Sequence, residues 1–280
     1  MALANHLEDE NRRAEVHLRR AEYGWSTGDY SVTLTEAEEA AAAARRADNP
    51  LIEVRAIARK ARAQTRFGDV GVAVATTEEA LARARDLGDE PTLMFMLDAA
   101  AGTFNETGDP ARAAHLKHQS IDLARRLGER NAEANSLGDL GFDYLTLGLF
   151  KMGRAALEQA LQLAEATGDR RAIAYDLQNL GLAYFRSGDG RAARHALERS
   201  LTELAAIGDT VGHAFSLRYL GLVLEHAGDA HGAARRFAEA RAVLASSGIP
   251  GAAADSLAGL ARCALAQGQL EEARQLVHEL

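Results

Sequence analysis

The sequence is poor in the residues that staple, kink or stack a chain. Its 280 residues include one cysteine, four prolines and one tryptophan, and aromatic residues make up only 5%. The lone Cys263 excludes an intramolecular disulfide framework and a multi-cysteine zinc site, and it fits a reducing compartment. So few prolines and aromatics, in a chain rich in alanine and leucine, argue against a β-sandwich and for an almost entirely helical protein. Positive charge is also short: 32 lysines and arginines face 40 acidic residues, a net charge of −8. No chain-wide basic field draws the molecule to nucleic acid or anionic lipid, which leaves room only for a local basic patch. No apolar run approaches the roughly 18–20 residues that cross a bilayer. The opening Met1–Glu10 lacks the basic start and apolar stretch of a secretory leader. A cytoplasmic protein with no membrane and no direct nucleic-acid contact is expected. With 47% hydrophobic and 26% charged residues, the composition is that of a folded chain rather than a disordered one.

What is present is a period. Glycine stands at 28, 68, 108, 148, 188, 228 and 268, and a second series holds glycine at 88, 128, 168, 208 and 248, with Asp48 in the place of its first member. Each unit of about 40 residues therefore contains two segments and two turns. Aspartate often follows the glycine, as at Asp29, Asp69, Asp109, Asp189 and Asp229 and again at Asp89, Asp169 and Asp209. Glycine in the left-handed conformation ends one helix, and the aspartate carboxylate accepts from the free N–H groups that begin the next. Pro50, Pro91, Pro110 and Pro250 all lie near such turns, where a missing N–H is harmless. Between turns, apolar residues recur at helical spacing, for example Leu177, Leu180 and Tyr184, then Ala193, Leu197, Leu201 and Leu204. A column of small residues, Ala21, Ala61, Ala101, Gly141, Gly181, Gly221 and Ala261, marks where the two helices of each unit approach closely.

The spacing Leu177-x2-Leu180-Gly181-x2-Tyr184 with Ala193-x3-Leu197, and its counterpart Leu217, Leu220, Gly221, Ala233, Phe237 and Ala240, resembles the tetratricopeptide repeat. HEAT-type repeats overlap in period, but the Leu-Gly-x2-Tyr signature favours the tetratricopeptide reading. All seven units carry the pattern, more weakly in the first two, where Arg20 and Lys60 stand in place of leucine. The usual unit is shorter and ends in proline; here Arg125, Glu165, Ala205 and Ala245 occupy that place, which implies longer helices. The chain looks like the 40-residue subclass found in sensor arms of bacterial signalling ATPases and transcription regulators. The resemblance implies an all-α solenoid of seven helix-turn-helix repeats (about 8–47, 48–87, 88–127, 128–167, 168–207, 208–247 and 248–280) in one right-handed superhelical domain, 1–280. The last helix is expected to be short, leaving Leu276, Val277 and Leu280 uncovered. That predicts either a fragment of a longer protein or self-association through this uncapped C-terminal helix; the alternative is a short last helix that simply frays.

In such a stack the first helix of each unit lines the concave face. In the second repeat that face carries Arg55, Arg59, Arg62 and Arg66, a single stripe. Two readings stand side by side: the guanidinium groups grip an anion or acidic peptide, or they pair internally with Glu15, Glu22, Asp98 and Glu106. Further along, the same columns hold Asn135, Phe142, Tyr175, Gln178, Asn179, Arg186, Phe215, Arg218 and Tyr219. Aromatic anchors interleaved with amides suit peptide recognition; Phe142, Tyr175 and Phe215 equally suit core padding. In related modules an asparagine and basic residues clamp a C-terminal carboxylate; Asn179 and Arg218 resemble part of that clamp, without the full set. His115 with His118, and His226 with His231 near Glu225 and Asp229, have spacing that could hold a metal but offer few obvious ligands, and surface histidines are the expected reading. Cys263 reads as core, and Trp25 as a partner for Arg62 or Arg66. No nucleophile, base and orienter assemble, so neither catalysis nor a cofactor is expected. The sequence thus points to a non-catalytic scaffold that binds a peptide or partner protein in the concave groove, with an anion-sensing regulatory arm as the alternative.

Overall fold

The structure is a computed structural model that describes residues 9–280. Most of the opening segment, Met1–Leu7, and the start of the first repeat at Glu8 lie outside the described residues. Fourteen helices and no strand are found among the described residues. In pairs they are α1 (Glu10–Thr27) and α2 (Tyr30–Arg46), α3 (Pro50–Arg66) and α4 (Val70–Leu87), α5 (Glu90–Glu106) and α6 (Pro110–Leu127), and α7 (Arg130–Thr146) and α8 (Phe150–Thr167). There follow α9 (Arg170–Arg186) and α10 (Gly190–Ala206), α11 (Thr210–His226) and α12 (Ala230–Ser246), and α13 (Pro250–Ala266) and α14 (Leu270–His278). The expected all-α solenoid of paired helices is the observed architecture. The final helix is short, 9 residues, with Val277 and Leu280 exposed.

The turns work as the spacing requires. At the α9–α10 corner, the Asp189 N–H returns to the Tyr184 carbonyl (2.9 Å) and the Gly188 N–H to that of Phe185 (3.0 Å), closing the first helix. The Asp189 carboxylate then accepts from the Ala192 N–H at 3.0 Å and opens the second. One residue ends a helix and caps the next. Every glycine of the two series has positive φ, between 68° and 89°, and Asp48, at the position that lacks glycine, is left-handed too at φ 52°. All four prolines fall in the first turn of a helix. The corners before α4, α8, α13 and α14 depart from this grammar: Leu149, Ile249 and Gln269 replace the aspartate and offer α8, α13 and α14 no side-chain cap, and Asp69 makes no cap hydrogen bond to α4.

The chain divides into two compact units, one ending at Ser136 and the other running Leu137–Leu280. In each, successive helices pack as antiparallel neighbours, and odd-numbered helices also touch across repeats: α1 with α3 and α3 with α5 in the first, α9 with α11 and α11 with α13 in the second. Among the described residues no even-numbered pair is packed to that extent, so the odd-numbered helices form the inner face of each unit. The small column is where paired helices meet. A Cβ on Gly141 would stand 2.5 Å from Leu157 Cγ, and one on Gly221 would stand 2.7 Å from Phe237 Cε1; Leu197 fills the same space over Gly181. Phe237, fully buried, is also pressed by Gly259 from the next repeat. Cys263 is buried in the same apolar cluster, and burial raises its thiol pKa, helped by Glu225.

The first unit adds buried charge to this packing. Glu36 is buried and takes His17 Nδ1 at 2.6 Å and Arg20 at 2.7 Å, which explains the arginine at a leucine position. Lys60, the other such exception, pairs with Glu38 at 2.9 Å. Glu53 is buried between Arg45 and Arg83, and Lys117 reaches Asp98 at 2.7 Å.

Candidate functional site

The inner face of the first unit carries the arginine stripe on α3. Its four side chains lie between α1 and α5. Arg55 and Arg59 approach Glu22 at 3.9 Å each, and Arg62 and Arg66 meet Glu106 at 3.2 and 2.8 Å. The guanidinium planes also cover rings: Arg55 and Arg59 stand 5.1 and 5.5 Å from the Phe95 centroid, Arg62 and Arg66 4.3 and 5.5 Å from that of Trp25. Glu15 is exposed and makes no ion pair among the described residues, and Asp98 is held by Lys117 and Ser136. Two close carboxylates therefore face four cations. The Nε atoms of Arg59 and Arg62 are buried and have no hydrogen-bond partner among the described residues. Burial draws the Arg59 guanidinium below its usual pKa; Arg62 and Arg55 act in the same sense, and Glu22 against it. Internal pairing is partial: of the four expected carboxylates, Glu22 and Glu106 are engaged by the stripe.

In the second unit the aromatic and amide columns separate into residues held by the fold and residues left open. Gln178 is buried; its amide donates to the Gly212 carbonyl at 2.9 Å and to Ser216 Oγ at 2.7 Å, tying α9 to α11. Tyr175 donates its hydroxyl to Asp209 at 2.7 Å, and burial with that acceptor pushes the phenol up to about 12. Arg218 pairs with Asp255 at 3.1 Å and lies over the rings of Phe215 and Tyr219 at 5.6 and 4.6 Å. Phe215 packs against the apolar cluster of α11 and α12. These four side chains are engaged within the repeat stack. Asn179 is half-buried and makes no hydrogen bond among the described residues. Asn135 is exposed and belongs to the first unit.

Three of the sequence-predicted residues converge. Phe142, Arg186 and Tyr219 line one open pocket of about 430 Å³, together with Leu145, Thr146, Gly148, Phe150 and Leu182. That volume falls within the range of small-ligand and side-chain pockets. Helices α7, α9 and α11 supply its inner wall, and the glycine corner before α8 supplies its end. Five apolar or aromatic side chains make most of the lining, and Arg186 is the one charged group. Arg186 is exposed and pairs with no acid among the described residues. The columns led to Phe142, Arg186 and Tyr219. They missed Leu145 on α7, Leu182 on α9 and Phe150 across the corner; the signal for Phe150 was the apolar corner itself, with Leu149 in place of a capping aspartate followed directly by Phe150.

No helix is long and apolar enough to cross a membrane, and no group of three or more potential metal ligands is found among the described residues. Residues 132–202 match the tetratricopeptide repeat family. No curated protein matches the chain in sequence. Among solved structures, it is similar to BtubC (BKLC) from P. vanneervenii, at TM-score 0.65 and 21% identity over 82% of this chain and 91% of that one. It is similar to a signal transduction ATPase with numerous domains bearing a tetratricopeptide repeat sensor from Pyrococcus horikoshii, at TM-score 0.76 and 14% identity; the match covers 96% of this chain but only 41% of that one. A Rap protein complexed with competence and sporulation factor matches at TM-score 0.73 and 16% identity, over 94% of this chain and 72% of that one. At these identities the likeness is one of fold.

Proposed function

We propose, on the premise that the chain is a tetratricopeptide repeat protein, that it is a non-catalytic, cytoplasmic scaffold that binds a peptide or partner protein along the inner face of its odd-numbered helices. The observation that carries this reading is the open pocket where Phe142, Tyr219 and Arg186 meet. Aromatic anchors beside an uncommitted cation are what a recognition surface needs and what a purely structural face buries. The Rap protein complexed with its factor supports the reading by analogy of fold alone.

The test is a randomised peptide library selected on the purified chain. Binders are expected, and Tyr219→Ala should weaken them by about tenfold, the scale of an aromatic anchor in an interface. A substitution on the exposed side of α12, such as Arg235→Ala, should leave them unchanged. Recovery of no binder, or of binders equally sensitive to both changes, overturns the scaffold.

A second reading rests on a different observation, the four arginines that face only two close carboxylates in the first unit. In this reading the chain is an anion-sensing arm of a larger regulator, as the tetratricopeptide sensor of the Pyrococcus horikoshii ATPase suggests. Phosphate should then raise the melting temperature of the wild type and not of Arg59→Glu/Arg62→Glu. An equal response in both proteins, or none in the wild type, removes it.

A further inference from the structure

The pocket of the second unit has a chemistry narrower than general peptide binding, and this inference rests on the scaffold reading above. Its lining is Phe142, Leu145, Phe150, Leu182 and Tyr219, with no acidic side chain and with Arg186 as the single charge. Arg186 is the last residue of α9, is exposed, and meets no carboxylate among the described residues. Arg171, Arg191 and Arg235 of the second unit also make no ion pair among the described residues, but none of them lines the pocket; Arg170 is on Glu203, Arg199 on Glu165, Arg218 on Asp255 and Arg262 on Glu225. A guanidinium without a partner beside an apolar cavity complements an apolar group that carries a negative charge next to it.

The corner beside the pocket is apolar as well. Residues 147–150 read Leu-Gly-Leu-Phe where the next repeat reads Ser-Gly-Asp-Gly over 187–190. Leu147 and Leu149 are each 44% exposed, Met152 is 49% exposed and Phe142 41%. This apolar surface extends past the cavity, so an occupant confined to the cavity leaves it in water. A polypeptide that seats one side chain and runs over the corner covers both.

The geometry points to a docking subsite in which the pocket receives one large apolar side chain of a partner peptide while Arg186 engages an acidic side chain adjacent to it. The occupant is thus an extended segment carrying an aspartate or glutamate beside a leucine, isoleucine or phenylalanine. The pocket supplies burial, and the guanidinium supplies polarity and register.

The experiment is the sequence content of the selected library together with the affinity of a fluorescent copy of the consensus peptide. The selected peptides should be enriched in an acid adjacent to a large apolar residue. Arg186→Glu should lower affinity about tenfold, as expected for reversal of a charge-assisted contact, and should erase the acidic preference when the selection is repeated. Arg186→Gln should give a smaller loss of the same kind, and Phe142→Ala should weaken binding while the acidic preference remains. Phe142 and Arg186 are exposed, so helicity and melting serve as controls that these variants fold. Binders that lack the acid–apolar pair and ignore Arg186 overturn the subsite but leave the scaffold standing, whereas no binders at all overturn both. Concentration-dependent association of the wild type that Phe142→Ala abolishes would assign the patch to a second copy of this chain, and would also overturn the peptide subsite.

Discussion

The two units solve the same packing problem with different chemistry. In the first, the small column is alanine (Ala21, Ala61 and Ala101), and the residues at the matching register of the second helices are Ala37, Thr77 and Lys117. In the second, the column becomes glycine at 141, 181 and 221, and the facing residues grow to Leu157, Leu197 and Phe237. In the second unit the missing Cβ of the column is the space that the large facing side chain fills, as a close-packed interior requires. Polarity shifts with it. The first unit buries Glu36, Glu53 and Lys117 in ion pairs and lays its inner-face arginines over Trp25 and Phe95. The second packs rings and leucines into glycine notches and leaves Arg186 unengaged on its inner face. The consequence is local: the charge left over in the first unit lies on an arginine stripe stacked over rings, whereas Arg186 in the second stands beside an apolar pocket.

The sharpest way to break this comparison is to empty a glycine notch. Phe237 is fully buried and touches Gly221 and Gly259 from two repeats, so Phe237→Ala removes packing from both at once. A loss of about 3–5 kcal/mol is expected, since neither glycine can grow into the void. Thr77→Ala, the corresponding truncation in the first unit, should cost far less. Chemical denaturation of both variants decides it, and equal losses would mean that the notch packing is not what holds the second unit.

How far the sequence foretold these features depends on whether they were periodic. The 40-residue stride gave the helix pairs, the left-handed corners including Asp48, the proline positions and the small column, because each is a local backbone demand repeated in every unit. The stride also put Phe142, Arg186 and Tyr219 on one face. It was silent on which columns are consumed internally. Gln178 shares its face with Asn179, yet only Gln178 meets Gly212 and Ser216; nothing short of the repeat-to-repeat geometry distinguishes them. The stacking of Arg55 and Arg59 over Phe95 is likewise a matter of interhelical distance, whereas Trp25 under Arg62 was readable from the lone tryptophan at the edge of the stripe.

The units also differ in how buried acids are treated, and pH tests this. Glu53 in the first unit has two arginines, but Asp176 in the second is buried with Oδ2 unpartnered and its other oxygen packed over Gly138. Burial, reinforced by Asp139 and Asp169, pushes the Asp176 carboxyl from 3.8 up to about 8. The native chain then keeps a proton that the unfolded chain releases, so stability falls as pH rises from about 4 to about 8. Asp176→Asn is neutral throughout and should remove that fall, with a stabilisation on the order of 2–3 kcal/mol near pH 8.5 and little effect near pH 4. Melting curves across this range check it. Parallel profiles for wild type and variant would mean that Asp176 is ionised in the fold.

The smallest expected effect bears most directly on why the second unit has an apolar corner. Leu149 occupies the capping position of α8, where Asp189, one repeat on, accepts from Ala192. Restoring the acid with Leu149→Asp stands to gain at most the roughly 0.5–1 kcal/mol of a good N-cap. The gain should lie at the low end. At Leu149 ψ is 56°, almost that of Asp69 at 55°, which makes no cap hydrogen bond, whereas Asp189 bonds with ψ at 76°. The backbone must therefore open by about the difference before the carboxylate can reach an N–H, and that adjustment offsets part of the bond. A small rise in melting temperature accompanied by weaker peptide binding would mean that the leucine is kept for contact at the expense of the helix. If the peptide is bound as tightly by the variant, the exposed leucine lies outside the docking surface and the pocket walls alone define it.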